Sequence, residues 1–484
     1  MRDKLLIGMS QVDITPPAPV SLRATYGLII SQYVESPLYA SVFAAESGDE
    51  QIIICSCDLA CFDAASAERV RELIRARDAT IDTSKVILCG TELHTGPHFY
   101  VKDKLRLAAK FLPEGTRYVD TQNVPENVWL EDKCGPFIFE RICDAVCRAW
   151  VDRKPAGFSP AFGRAVVGHC RRVVYDDGSA RMYGAADTVN FEAVEAVNDS
   201  GIELLYLFDE SRAPMGALVN VACPAQVLEG KPFVSSDFWG KARDFIKSKL
   251  GDAFVVVGLG SAAGDQSPRD EVRKPGQYAR RGDPDMHSLE GAIELGRRIS
   301  SVVLDKYDAA RETIRTEALI RHDVLTIDFP LRTVTMSECD GAKRKFDAYV
   351  RDSGKTVFGP SDIAAMYPHA GIMERFRLQK STSFWSSEIH VARFDDIAIA
   401  TNPFELFLDY GNQIKARSAA TQTMLIQLAC DGGSYLPTAR AERGGHYSAF
   451  VPSGLTGHAG GVLLVNKTVE TIRKLWDLPV ERPQ

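Results

Sequence analysis

The sequence predicts an α/β fold, mixed sheets flanked by helices, and three observations carry that prediction. Short β-branched runs alternate with amphipathic segments of helical period. Six of seven apolar runs lead directly into clusters of small, polar or ionisable residues. The composition, 45% hydrophobic and 25% charged over 484 residues, is that of an ordinary globular chain able to bury a large core.

In chain order the strand candidates are "QIIICS", "KVILCG", "IELLYLF", "GALVNVA", "FVVVGLG", "DDIAIAT" and "MLIQLA". Each is short and rich in β-branched or other apolar residues, as a buried strand requires. Residues 65–77, 137–152, 238–250 and 289–307 place apolar side chains three and four apart, which predicts helices. Neither repeats nor low-complexity tracts interrupt the pattern, so residues 1–484 are expected to form one domain. Two polar stretches, 266–288 and 351–387, are expected to be a lid over a site or surface loops.

The formal charge of -7 comes from interleaved acids and bases, which does not favour nucleic acid as a partner. The amino-terminal apolar stretch "LLIGM" is brief and meets Pro16 and Pro17, so a soluble, cytoplasmic protein away from membranes is expected. The eleven cysteines are an odd number scattered among apolar neighbours, which predicts reduced, buried thiols. The Cys55/Cys57 and Cys143/Cys147 pairs lack the second pair of a zinc-finger spacing.

The polar clusters are "CDLACFD", "TELHTGPH", "CPAQ", "SAAGDQSP", "NPFE" and "CDGGSY". In α/β folds ligands bind beyond the carboxyl ends of strands, so these clusters predict one site assembled from distant segments. Glu92 and His94 lie two apart; if the preceding strand continues they share a face and could hold a metal ion or a polar substrate group. Asp265 and Ser267 sit in a small-residue turn that could supply a nucleophile or oxyanion donors, or simply bond the turn itself. The GxSxG spacing of an α/β-hydrolase elbow is absent. Asp237 is a helix-cap candidate. Glu405 and Tyr435 could be ligands or proton-transfer groups, and either Arg171 or Arg172 could clamp an anionic or carbonyl oxygen.

The segments "VDITPP", "TELHTGP", "CRR", "SSDFWG", "AAGDQSP", "NPFE", "GGSYLPT" and "GGHY" occur in an order that resembles the neutral/alkaline, non-lysosomal ceramidases. The resemblance implies that family's amino-terminal fold. It also implies an amidase-type hydrolase in which zinc, held by two histidines, a glutamate and a tyrosine, activates water against an amide carbonyl. By position Glu405 and Tyr435 resemble the ligand glutamate and tyrosine, His94 a site-lining histidine, Arg171 the active-site arginine, and Ser267 the site serine. Two ligand histidines are replaced, one by Glu92 and one by Pro224, so the chain resembles a divergent member of bacterial type. Carboxylate in place of imidazole shifts a site toward harder cations or weaker zinc binding.

The expected metal set is therefore Glu92, His94, Glu405 and Tyr435, holding zinc or another divalent cation, with Cys223 as a remote substitute. The expected catalytic group is Glu92, His94, Arg171, Asp265 and Ser267, acting on an amide or ester bond of a polar small molecule. The alternative is a metal-free relative, either a different enzyme or a ligand-binding protein. The chain ends soon after "GGHY", so the family's carboxyl-terminal immunoglobulin-like domain is expected to be missing, along with its secretory signal. Membrane ceramide is then a poor substrate candidate.

Overall fold

Alternation along the first strands sets the layering, because successive side chains on a strand point to opposite faces. The computed structural model describes residues 3–22, 28–99, 107–119, 124–273 and 285–479. The larger sheet contains β1 (Asp3–Asp13), β2 (Tyr39–Ser47), β3 (Glu50–Cys57), β4 (Val86–Gly90), β5 (Lys154–Arg164), β6 (Gly201–Asp209), β7 (Pro214–Val221) and β8 (Val255–Gly260). Their order across the sheet is β8-β7-β6-β5-β1-β2-β3-β4, and Glu317–Ala318 adds a short strand beside β1. Ile53 and Cys55 of β3 pack toward helices α1 (Ala64–Arg77) and α2 (Glu131–Val151) with Val70, Ile74, Ile142 and Val146. Ile52 and Ile54 face the opposite way, into a core shared with Phe394, Ile397, Ile399, Met424 and Ile426.

Those last residues belong to a second sheet. The chain continues through β9 (Ile320–Pro330), β10 (Phe384–Phe394), β11 (Ile397–Thr401), β12 (Phe404–Leu406), β13 (Gln422–Ile426) and β14 (Ser434–Leu436). The second sheet runs β9-β10-β11-β13, and β12 and β14 pair in parallel beside it. Helices α3 (Asp237–Leu250) and α4 (Leu289–Glu312) join α1 and α2 on the first sheet, while α7 (Leu408–Arg417) and α8 (His458–Leu475) cover the outer face of the second. The result is helices, sheet, sheet, helices. Two further helices, α5 (Met336–Ser353) and α6 (Pro360–Leu378), build a smaller core around Phe346, Phe358, Ile363 and Met366.

Within the two main sheets three strand pairs are parallel: β3 with β4, β7 with β8, and β11 with β13. A parallel pair needs a crossover connection, which α1 and α3 supply in the first sheet and α7 in the second. The six polar clusters follow these six strands, at their carboxyl ends. Ties across the ends bring them together: Gln427 N–H donates to Gly260 O at 3.0 Å and Cys430 N–H to Leu88 O at 2.8 Å.

All seven expected strands and all four expected helices are present. α2 begins at Glu131, ahead of the expected start, and carries Pro136 inside it, with Glu131 and Asp132 in its first turn where the helix dipole favours acids. The stretch 351–387 is not a loop: α6 fills most of it, opened by Pro360 at its first position and by Asp362, which accepts Gly359 N–H at 2.9 Å. Of the other stretch, residues 274–284 lie outside the described residues. None of the eleven cysteines forms a disulfide, and ten are buried. Among the described residues no helix is long and apolar enough to cross a membrane.

Gly8 of β1 lies so close to α2 that a Cβ there would sit 1.8 Å from Ala149 O. Gly8→Ala is therefore expected to lower stability by about 1–3 kcal/mol, read as a shifted urea midpoint with unchanged slope.

Candidate active site

The site is built where loops from both sheets cross. Beyond β4 the chain is pinned by Thr91 N–H to Cys57 O at 3.0 Å, Leu93 N–H to Leu59 O at 3.1 Å and His94 N–H to Ala225 O at 3.1 Å. β12 and β14 run side by side with Glu405 opposite Tyr435. The turn carrying Asp265 and Ser267 packs on β12 at Gly264, where a Cβ would lie 2.2 Å from Glu405 O, so only glycine allows this approach. Cys170 and His169 zip against Gln266 and Ser267 in a two-residue ladder.

Arg171 occupies the centre and is 3% exposed. Its Nη1 donates to Tyr183 Oη and Gln226 Oε1, both at 3.1 Å, and its Nη2 to Gly264 O at 2.9 Å and Tyr435 Oη at 3.4 Å. Nε is buried with no protein acceptor. Burial disfavours its charge, but Tyr183, Tyr435 and Glu92 more than offset that, so the guanidinium stays ionised. Arg172 is committed elsewhere. It pairs with Glu195 at 2.6 Å and donates to Tyr447 O, Ser448 Oγ, Ala441 O and Gly445 O, clamping the carboxyl-terminal segment.

Glu92 is buried, hydrogen-bonds the carboxyl of Glu405 and accepts Gln427 Nε2–H at 2.6 Å. Gln427 cannot turn its amide around, because its Oε1 already accepts Ala263 N–H at 3.0 Å and Leu406 N–H at 3.1 Å. Burial first, then the charge of Glu405, pushes the Glu92 carboxyl well above the usual carboxylate range, and Arg171 only partly counters this. Burial and Glu405 likewise raise Tyr435, keeping its phenol protonated. The centre is therefore a protonated carboxyl touching a second carboxyl, flanked by a guanidinium and a phenol.

His94 makes its side-chain contact outside this group of four. The strand stops at Gly90 and Glu92 takes a left-handed backbone, φ 58°, so the two-residue alternation expected to align Glu92 with His94 does not hold. His94 Nδ1 instead meets Glu229 Oε1 at 3.1 Å, and burial of Glu229 is outweighed by His94, which lowers the carboxyl. Ser267 is fully buried; its Oγ accepts Arg269 N–H at 3.2 Å and lies 3.5 Å from Tyr183 Oη. Asp265 Oδ1 accepts Leu408 N–H at 3.0 Å at the start of α7, and burial raises its carboxyl to about 6. Asp237 similarly accepts Leu228 and Phe238 N–H groups. Cys223 is a buried thiol raised by burial and by Asp237 and Glu92, its Sγ 3.6 Å from Val167 O. Tyr183, Gln226 and Gln427 complete the site. Of these, Gln226 closes the polar cluster "CPAQ" and Gln427 is a lone amide interrupting the apolar run "MLIQLA".

The donors at this centre do not fit the zinc that the resemblance implies. Zinc sites take nitrogen or sulfur ligands for the most part, whereas Glu92, Glu405 and Tyr435 offer oxygen alone. The carboxyls bond each other, and Arg171 already supplies a cation beside Tyr435. Among the described residues, the group of three His, Cys, Asp or Glu side chains with mutually close ligand atoms, all within 4.8 Å, is Glu388, His390 and Cys430.

Taken whole, the chain has the fold of the ceramidases. It aligns over 100% of its length with a solved structure of a ceramidase complexed with C2, covering 77% of that chain at a TM-score of 0.69 and 14% identity. It aligns equally over 100% of its length with neutral ceramidase from Pseudomonas aeruginosa, covering 76% of that chain at 0.68 and 15%. No protein-family model and no curated protein sequence matches the chain.

Asp265 generates a stability test. Its folded value of about 6 stands above the ordinary 3.8, so between those values the unfolded chain has lost a proton that the folded one keeps, and stability falls as pH rises. Asp265→Asn keeps the acceptor oxygen and removes this slope. Its unfolding free energy relative to the parent, read by urea denaturation, should rise from pH about 4 to about 6 and then level, a gain of up to about 3 kcal/mol.

Proposed function

We propose that this protein is a hydrolase of the amide or ester bond in a polar small molecule, working through the carboxyl pair Glu92 and Glu405. The contact between those two groups carries the reading. Two carboxyls that share one proton present an acid and a base to the same substrate, the arrangement by which aspartic proteases cleave amides. The ceramidase fold supports a hydrolytic role by analogy alone.

In this reaction Glu405 takes a proton from water as the water oxygen bonds to the carbonyl carbon. Arg171 and the Tyr435 hydroxyl stabilise the oxyanion that forms, the second an O–H donor and the first a fixed positive charge. Glu92 then gives its proton to the leaving nitrogen or oxygen as that bond breaks. Transfer of the remaining proton from Glu405 to Glu92 restores the starting state. Gln427 fixes the Glu92 carboxyl plane, and Tyr183 ties Ser267 to the Arg171 cluster, making both positioning residues. Ser267 is a polar wall of the site, its Oγ bonded by the Arg269 N–H and lying beside the Tyr183 phenol.

The test uses an N-acyl p-nitroanilide and the matching p-nitrophenyl ester. Glu92→Gln and Glu405→Gln are each expected to lower kcat/KM by about 10²–10⁴-fold while the protein stays folded. The parent's pH profile should be bell-shaped, with the alkaline limb absent in Glu92→Gln. A chelator is expected to leave turnover unchanged. Rates that vanish with chelator and return with a divalent cation would replace this reading with metal-activated water. A folded protein that binds the anilide without turnover would make it a ligand-binding relative.

A further inference from the structure

A second cluster lies off the active site, between α1, β4, β10 and the turn after β13. Glu388 and His390 are two apart on β10, so both point to one face, and Cys430 reaches them from beyond β13 with a left-handed φ of 60°. His390 Nε2 is 2.7 Å from Glu388 Oε1 and 3.7 Å from Cys430 Sγ. His390 and Cys430 are buried, whereas the Glu388 side chain is 28% exposed and opens the cluster to solvent.

The histidine ring is held as a metal-binding imidazole is held. Gln51 O can only accept, so His322 Nδ1 carries a hydrogen toward it at 3.2 Å. His322 Nε2 is then the acceptor for His390 Nδ1–H at 2.9 Å, which leaves His390 Nε2 facing Glu388 and Cys430. A carbonyl fixing one imidazole through another is an outer-shell support of the kind metal-ligating histidines use.

A cation already stands among the three donors. Arg71 Nη2 is 2.6 Å from Glu388 Oε1, 3.4 Å from Cys430 Sγ and 3.5 Å from His390 Nε2, and also donates to Val86 O at 2.9 Å. That guanidinium is incompletely satisfied. Arg71 is 7% exposed, yet its Nε is buried without a hydrogen-bond partner. Leaving a buried donor unmade is costly, and this opposes the two-point hold that Arg71 has on Glu388, completed by Nη1 donating to Oε2 at 3.2 Å.

We infer that Glu388, His390 and Cys430 form a binding site for a thiophilic divalent cation of the zinc type, in which Arg71 is the competing occupant. Carboxylate, imidazole and thiol are the donor types such a cation takes. Bonds of about 2.0–2.3 Å at tetrahedral angles set donors about 3.3–3.8 Å apart, so the sulfur–nitrogen spacing already fits and the Glu388–His390 contact must open. Water entering past Glu388 supplies the fourth ligand. The cysteine proton leaves as the metal binds, and Arg71 swings toward solvent. The site is distinct from the Glu92–Glu405 centre and stands whether or not the protein is a hydrolase.

Cobalt(II), added to the full-length protein purified without a histidine tag, is the probe. One equivalent should bind with sulfur-to-cobalt charge-transfer absorption in the near ultraviolet and tetrahedral bands in the visible, both bleached by zinc. Cys430→Ser should lose the charge-transfer band. Glu388→Gln, at the exposed edge, should weaken binding without altering the far-ultraviolet dichroism, which keeps the test valid if Cys430→Ser does not fold. Arg71→Gln removes the rival charge and should tighten binding about tenfold. Uptake at Glu92 and Glu405 would give no sulfur band. The absence of that band from both the parent and folded Arg71→Gln, at millimolar cobalt, would overturn the proposal and make Arg71 the permanent counter-ion.

Discussion

A buried guanidinium must find acceptors around its plane or be driven back to water, and this requirement at Arg171 organises the centre of the molecule. Its partners come from the segments of Tyr183, Gln226, Gly264 and Tyr435, four separate pieces of chain. Once they are gathered, Glu405 is fixed beside Tyr435 by the β12–β14 ladder and Glu92 is fixed beside Glu405 by Gln427. The charge on Arg171 also lessens the penalty of burying the Glu92 carboxyl.

The two-sheet sandwich explains why so many polar groups can meet in an apolar interior. Parallel strand pairs in both sheets end on the same crossing, so loops emerge from two layers toward each other. The loops are closely bonded to their neighbours, as with Thr91, Leu93 and His94 on three separate carbonyls. Strained backbones gather here as well, with positive φ at Glu92, Tyr183, Leu428 and Ser434. Such conformations persist where surrounding structure over-determines them, and they cluster at functional sites.

Most of the sheet core was legible in the sequence because its strands are continuous apolar runs. β1, β2, β5, β9 and β10 were not, since polar and small residues dilute their alternation, as in "IRHDVLTIDFP". Helix α6 was hidden by Pro368 and the glycines near it, which read as loop signals although its burial rests on Ile363, Met366 and Tyr367. Within the site, Glu92, Arg171, Glu405 and Tyr435 could be singled out because each follows a strand or a recognisable segment. The divergence of His94 could not, because it depends on the left-handed turn at Glu92. Tyr183 gave no sequence signal, since its role comes only from the fold that brings it to Arg171.

The bond from Gln427 to Glu92 spans 335 positions of chain. Contacts of such long range form late, after much of the chain's entropy has been lost. On the ribosome the first carboxyl would emerge long before its orienting amide and its partner acid had been made. An incomplete polypeptide thus holds Glu92 without Glu405 and Gln427, and the carboxyl pair can form only when the last strand of the second sheet is in place.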